Sequence, residues 1–439
     1  MTGHVRLTFL CVAFLVGALA VVSSAQAGWS PPLTVAHSLI EEGQVLATSP
    51  TQGAAVAWRG AGDHVLRVRR LGPGGTLGRV MKVPGPVYGE PFPRMAIAES
   101  GAIVVAWTHW EFETGPILYA RRIGKHGKLG AIRTIAHDPE AFQELDERLA
   151  MDAAGNATIA WNRMHITAGF SHGDQVTYAS VCIRRFTAAG SLGPVTCVPT
   201  DGGDNRGAQL AIEPSGRGAF TWTRYLDGRT TVRAMLIGRN GALGPALDVS
   251  SPYEYWSGGA AAVAVDGSGR ATLAWSTGQI GQGATIRQIS NRGLGTPHVF
   301  PTSGSTDQPR VAASTSGPAT VVWIEDPSYR VKAVHILRSG AVGPVHSLSA
   351  PSSVSSTFAF AVAADGLGNT TVVYNAELPR RKPRSVVQAR RFSGRGELGK
   401  PWNLSPIGPA GLVRAVAVVA DERGVVTALS GSGVSRFVP

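Results

Sequence analysis

Cysteine is scarce: three residues in 439. That is too few for a disulfide-dense scaffold or a cysteine-rich metal site. The chain has no Cys-x-x-Cys, no His-Glu-x-x-His and no Gly-x-Ser-x-Gly. Dithiol redox, zincin and nucleophile-elbow chemistry therefore lack their residues. Carboxylates are few as well: 29 Asp and Glu stand against 41 Lys and Arg, a net charge of +12, and charged residues reach only 16%. That balance permits contact with anionic polymers or surfaces without demanding it. Gly394–Lys400 imitates a dinucleotide fingerprint by spacing, but Pro401 stands where a phosphate loop needs Ser or Thr. Leu77-Gly78, Leu129-Gly130, Leu192-Gly193 and Leu243-Gly244 occupy the same slot, so it reads as a structural turn. No nucleic-acid motif, metal set or cofactor motif is present, and after residue 27 no apolar run reaches membrane length.

What the N-terminal region does contain is a signal peptide pattern. Arg6 gives a positive start, Leu7–Val22 is largely apolar, and Ala25-Gln26-Ala27 is a small-x-small cleavage site. Residues 1–27 are expected to be removed on export, leaving a secreted, monomeric product of residues 28–439. Cys182 and Cys197 then meet an oxidising compartment, where they are expected to pair. They flank the Thr187–Gly190 turn at near-equivalent distances, as cross-strand neighbours would.

The dominant feature is a repeat of about fifty residues: a small-apolar strand, a turn ending in Gly, then a strand ending in Trp. Copies end at Trp58, Trp107, Trp161, Trp222, Trp275, Trp323 and Tyr374, and an eighth ends at Leu429 without its aromatic. Such a period marks units that bury their faces only by stacking. Each unit continues into two further β-branched runs, as in Tyr178–Phe186 and Pro194–Val198, joined by a Gly-containing turn.

Four antiparallel strands per unit resemble the blade of a β-propeller. The chain carries neither the Trp-Asp dipeptide of WD40 proteins nor the Ser-x-Asp-x-Gly-x-x-Trp box of sialidases. The expected fold is all-β, an eight-bladed propeller forming a single domain. Its last copy supplies three strands, and Leu33–Ala36 is expected to complete that blade, removing two free sheet edges. The repeated Trp residues read as packing between sheets. The turn acids Asp152, Asp266, Asp365, Asp421 and Glu213 read as caps of their own turns. The pairs Arg69-Arg70, Arg121-Arg122, Arg184-Arg185 and Arg390-Arg391 read as intersheet packing and ion pairs, since alternation sends neighbours to opposite faces.

Function is sought where the repeat varies. One face carries short Gly turns; the other carries long, irregular loops rich in aromatics and acids. Trp110, Glu111, Glu113, His165, His172, Asp174, Tyr253, Tyr255 and Trp256 form the candidate ligand face, with Phe170 as a further stacking ring. Arg94, Arg148 and Arg310, with Gln209 equivalent, precede inner strands and are expected at the channel mouth, where an anion would fit. The reading favoured is a noncatalytic binding or scaffold module for a glycan, cell-envelope or protein ligand, with an anionic surface polymer as a further partner. The alternative is a glycan hydrolase or lyase using the acids and histidines of units two and three.

Overall fold

A computed structural model describes residues 28–35, 44–49, 53–60, 63, 65–72, 74–86, 93–111, 115–137, 147–166, 176–253, 261–277, 282–302, 306–325, 328–351, 360–378, 384–409, 416–430 and 433–439. The chain forms eight antiparallel sheets of the expected four-strand plan. Blade 3 is typical: Arg148–Met151 pairs with Ala157–Ile166, which pairs with Val176–Phe186, which pairs with Leu192–Cys197. Blades 1 and 2 begin with Val45–Ser49 and Arg94–Ile97. Blades 4 to 8 begin with Asp204–Ile212, Ala262–Val265, Thr306–Ala313, Phe360–Ala364 and Val416–Ala420. First strands lie nearest the axis. Fourth strands form the exposed rim and carry prolines such as Pro194 and Pro344, which an edge tolerates because one side of the strand needs no donor.

Eight apolar clusters fill the eight gaps between neighbouring blades. Trp107, for instance, packs with Leu66 and Val68 of blade 1, and Trp222 packs with Val181 and Ile183 of blade 3. Every Trp of the series is at most 3% exposed, as packing residues require. Together they give an eightfold array in which each unit buries its face only against its neighbours.

The ring closes as a shared blade, with two differences from the sequence reading. The closing segment pairs in two pieces: Gly28–Trp29 on Phe437 and Val438, and Leu33–Thr34 on Gly433 and Val434. Pro31 and Pro32 separate them, since neither has an N–H for the ladder. Ser30 keeps the join tied, its hydroxyl accepting the Arg436 N–H at 3.0 Å. The eighth copy also shifts by one residue. Ser430, not Leu429, pairs with the third strand where the other copies have Trp or, in blade 7, Tyr374, while Leu429 packs with Trp58 and Leu71 of blade 1. The cluster between blades 7 and 8 draws its aromatics from Trp29 and Phe437, 5.8 Å apart.

The paired arginines divide their work as strand alternation dictates. The first of each pair reaches back to the preceding blade. Arg121 donates to Gly130 O (2.8 Å) in its own sheet and to Pro84 O (2.6 Å) behind. The second reaches forward. Arg70 donates to Gly124 O (3.1 Å), Arg122 to Thr187 O (2.8 Å), Arg391 to Gly424 O (3.4 Å) and Arg436 to Gly72 O (3.2 Å) across the closure. Blades 4 and 5 have Leu236 and Gln288 in this slot. Arg217 and Arg270 of their first turns reach forward instead, to Ser268 O (2.6 Å) and Gly317 O (3.1 Å). In blade 6 the slot holds His335, stacked on Phe392 of blade 7 with ring centroids 5.9 Å apart.

Candidate functional site

The first strand of each blade contributes one residue, opposite the position before the Trp slot, to a single level of the channel. Read from the register, that level is Val45, Arg94, Arg148, Gln209, Ala262, Arg310, Ala361 and Ala417. Three guanidiniums thus share one ring with small or apolar neighbours. Arg148 Nε donates to Gln209 Oε1 at 3.2 Å, joining blades 3 and 4. Arg94 Nε and Arg148 Nη1 both donate to the Glu147 carbonyl, at 2.9 and 3.0 Å. The Glu147 carboxylate is buried and accepts the Thr108 hydroxyl at 3.0 Å.

Arg310 differs from the other two. It lies over the Phe360 ring at 5.2 Å, and among the described residues no carboxylate pairs with it. It is open to solvent yet crowded by protein on all sides, the situation of a side chain inside an open channel. That crowding, followed by repulsion from Arg148 and Arg94, pushes its guanidinium pKa down from the usual arginine range. An anion placed here would relieve that repulsion.

The opposite end of the channel is acidic and already satisfied. Asp152 Oδ1 accepts the Asn156 N–H at 2.7 Å, and Asp421 Oδ1 accepts those of Arg423 and Val425 at 3.0 and 2.9 Å. Asp266, Asp365 and Glu213 repeat the pattern, so these acids cap their own turns. Gly155 and its equivalents take the left-handed conformation that closes each turn. Turns also bond to one another around the mouth: Ala153 N to Pro214 O at 3.0 Å between neighbouring blades 3 and 4, and Thr315 Oγ1 to Glu422 Oε2 at 2.6 Å past blade 7, from blade 6 to blade 8. A cavity of about 430 Å³ remains among them, lined in part by Glu99, Met151 and Ile212. Among the described residues no group of three His, Cys, Asp or Glu is placed to hold a metal ion.

Of the loop-face candidates, Trp110 is half-buried at the end of Ile103–Glu111, opposite Pro116. Glu111 pairs with Gly115 in that ladder, and His165 pairs with Tyr178 in blade 3. Tyr253 bridges Thr230 through two backbone bonds and packs beneath the cluster between blades 4 and 5. Glu113, Phe170, His172, Asp174, Tyr255 and Trp256 lie outside the described residues. The segment 201–206, irregular in sequence, is structural: Asn205 is fully buried and accepts the Trp222 indole N–H at 3.0 Å. Cys182 and Cys197 are register partners joined by a disulfide, a bond suited to an oxidising compartment.

No family model matches the sequence, and no curated protein matches it. Solved structures do. The chain is similar to the BP39L lectin from Burkholderia pseudomallei, with TM-score 0.53 and 12% identity over 82% of this chain and 98% of that one. It is similar to the α-L-arabinanase of Penicillium chrysogenum at TM-score 0.39 and 10% identity, over 73% and 99% of the two chains. A Mycobacterium tuberculosis puromycin-hydrolyzing peptidase gives TM-score 0.46 and 13% identity, over 92% of this chain and 60% of that one. At these identities the likeness is one of propeller fold.

Proposed function

We propose that the protein is an exported, noncatalytic binding module that takes an acidic glycan end at the loop-side mouth of its channel. One observation carries the reading: Arg310 sits in the same ring as Arg94 and Arg148, opposed by like charge and balanced by no described carboxylate. A carboxylate or phosphate is the complement of such a cluster, and guanidinium binds it in bidentate fashion. Gln209 would add a neutral amide for sugar hydroxyls. A lectin of the same fold makes sugar the first ligand class to test. The loop aromatics, Trp110 among them, would supply contact area around the mouth.

The experiment is incubation of the full chain with acidic and neutral oligosaccharides, scored for retention and for new reducing or unsaturated ends. Retention of digalacturonate over its neutral counterpart, with no new ends, is the expected result. Cleavage would favour a hydrolase or lyase. Equal retention of both sugars would remove the guanidinium ring from the account.

A further inference from the structure

The eight blade-to-blade joints are not alike. At most joints a guanidinium or ring in the third strand lies over the groove between blades on the turn face. In blade 4 that position is Leu236, which cannot span the gap or donate. The joint between blades 4 and 5 accordingly opens as a groove of about 820 Å³ on the turn face. Its lining includes the apolar Leu236 and Leu243, with Arg217 and Arg239 on the blade 4 side and Arg270 and Arg292 on the blade 5 side. No carboxylate lines it. Arg217 is held by Ser268 O, and Arg270 by Asp266 at 2.9 Å. Among the described residues, neither the Arg239 nor the Arg292 side chain has a partner.

We infer that this groove is a second binding site, distinct from the channel, for an extended acidic glycan. Arg217, Arg239 and Arg292 meet no lining carboxylate, the Arg270 guanidinium being turned to Asp266 and to Gly317 O of blade 6, and this leaves a net positive cleft; positive clefts concentrate anionic ligands. The volume exceeds what a single phosphate or carboxylate fills, so the match is a chain with repeated charge. A peptide added as an extra strand finds few open backbone donors here. The N–H groups of Gly238, Gly241, Gly244 and Gly269 are already bonded inside their hairpins. Recognition falls to side-chain charge, which suits a polymer carrying one carboxylate per sugar.

The test is retention of the full chain on immobilised polygalacturonate, against polyglutamate, oligo(dT) and neutral dextran. Arg239→Ala/Arg292→Ala removes two side chains that hold no partner among the described residues. It should keep the thermal midpoint and weaken polygalacturonate binding by roughly tenfold or more, two charge-assisted contacts being lost. Leu236→Arg gives blade 4 the guanidinium that blades 1, 2, 3, 7 and 8 carry in this slot. It should fill the groove and weaken retention by a second route. Arg239→Ala/Arg292→Ala should leave calorimetric binding of digalacturonate, the channel's ligand, unchanged, which separates this site from the channel reading. Unchanged binding in both groove variants would overturn the inference. So would tighter retention of polyglutamate or oligo(dT), or a loss of digalacturonate binding in the groove variants as large as their loss of polymer binding.

Discussion

The two ends of the channel are built from the same eight first strands, yet their charges are used in opposite ways. At the turn end, Asp152, Glu213, Asp266, Asp365 and Asp421 accept turn amides, and several also meet an arginine, as Asp365 meets Arg391 at 2.6 Å. At the loop end, Arg94 and Arg148 share the Glu147 carbonyl, and Arg310 gains an aromatic face and, among the described residues, no carboxylate. A satisfied polar group belongs to the fold. A cation opposed by other cations costs stability and persists where a ligand is to be met. Removing the capping acids of the turn end should therefore destabilise the protein, and removing the Arg310 guanidinium of the loop end should not.

The largest effect is expected from Asp365→Ala. It leaves two Asn369 donors, the backbone N–H and Nδ2, without their acceptor and the half-buried Arg391 without its anion. Breaking such a pair costs about 3–5 kcal/mol. Urea unfolding would measure it, and a loss under about 1 kcal/mol would break the contrast between the ends.

The rim supplies a control that belongs to neither end. Cys182→Ser/Cys197→Ser opens a closed loop of sequence separation 15, which should cost about 3 kcal/mol in the chain-entropy account. Reduction of the unmodified protein should lower the calorimetric midpoint in the same way. A variant as stable as the parent would show the bond to be incidental.

A smaller effect should come from His335, the one imidazole in the turn-face series of arginines. Burial lowers its pKa, with the Gly394 backbone opposing, and its Nδ1 lies 2.9 Å from the Thr320 hydroxyl. With the folded pKa below the unfolded value, the unfolded chain takes up the proton first as pH falls. The joint between blades 6 and 7 is then fully stable above about pH 6.5 and weakens as pH drops below it. His335→Gln should flatten this part of the pH–stability curve. A curve identical to the parent's below pH 6.5 would contradict the assignment.

Much of this architecture was legible in the sequence. Blade number, strand order, the buried Trp series, the turn-capping acids and the disulfide all follow from local rules of period and turn chemistry, which the fold obeys eight times over. The equivalence of Ser430 is also carried by spacing, since Gly424 precedes it by six residues as Gly101 precedes Trp107 and Gly368 precedes Tyr374, but the missing aromatic hides the match and Leu429 imitates the end of the strand. The direction of the arginine pairs was not legible, since a hairpin pattern does not say which neighbour each face meets. The channel ring could be named because Arg94, Arg148 and Arg310 share a repeat position. The groove at Leu236 was overlooked because its signal is an arginine missing from a series, and its four lining arginines sit in turns that look like spacers.

The most direct test of the guanidinium ring is calorimetric titration of digalacturonate into the parent and into Arg310→Gln, with thermal midpoints measured alongside. Relief of cation repulsion should leave the variant's midpoint equal or higher, while its affinity for the sugar falls by roughly tenfold, the scale of one lost charge-assisted contact. Equal affinity in both proteins, or a variant that loses binding only because it unfolds, would contradict the account.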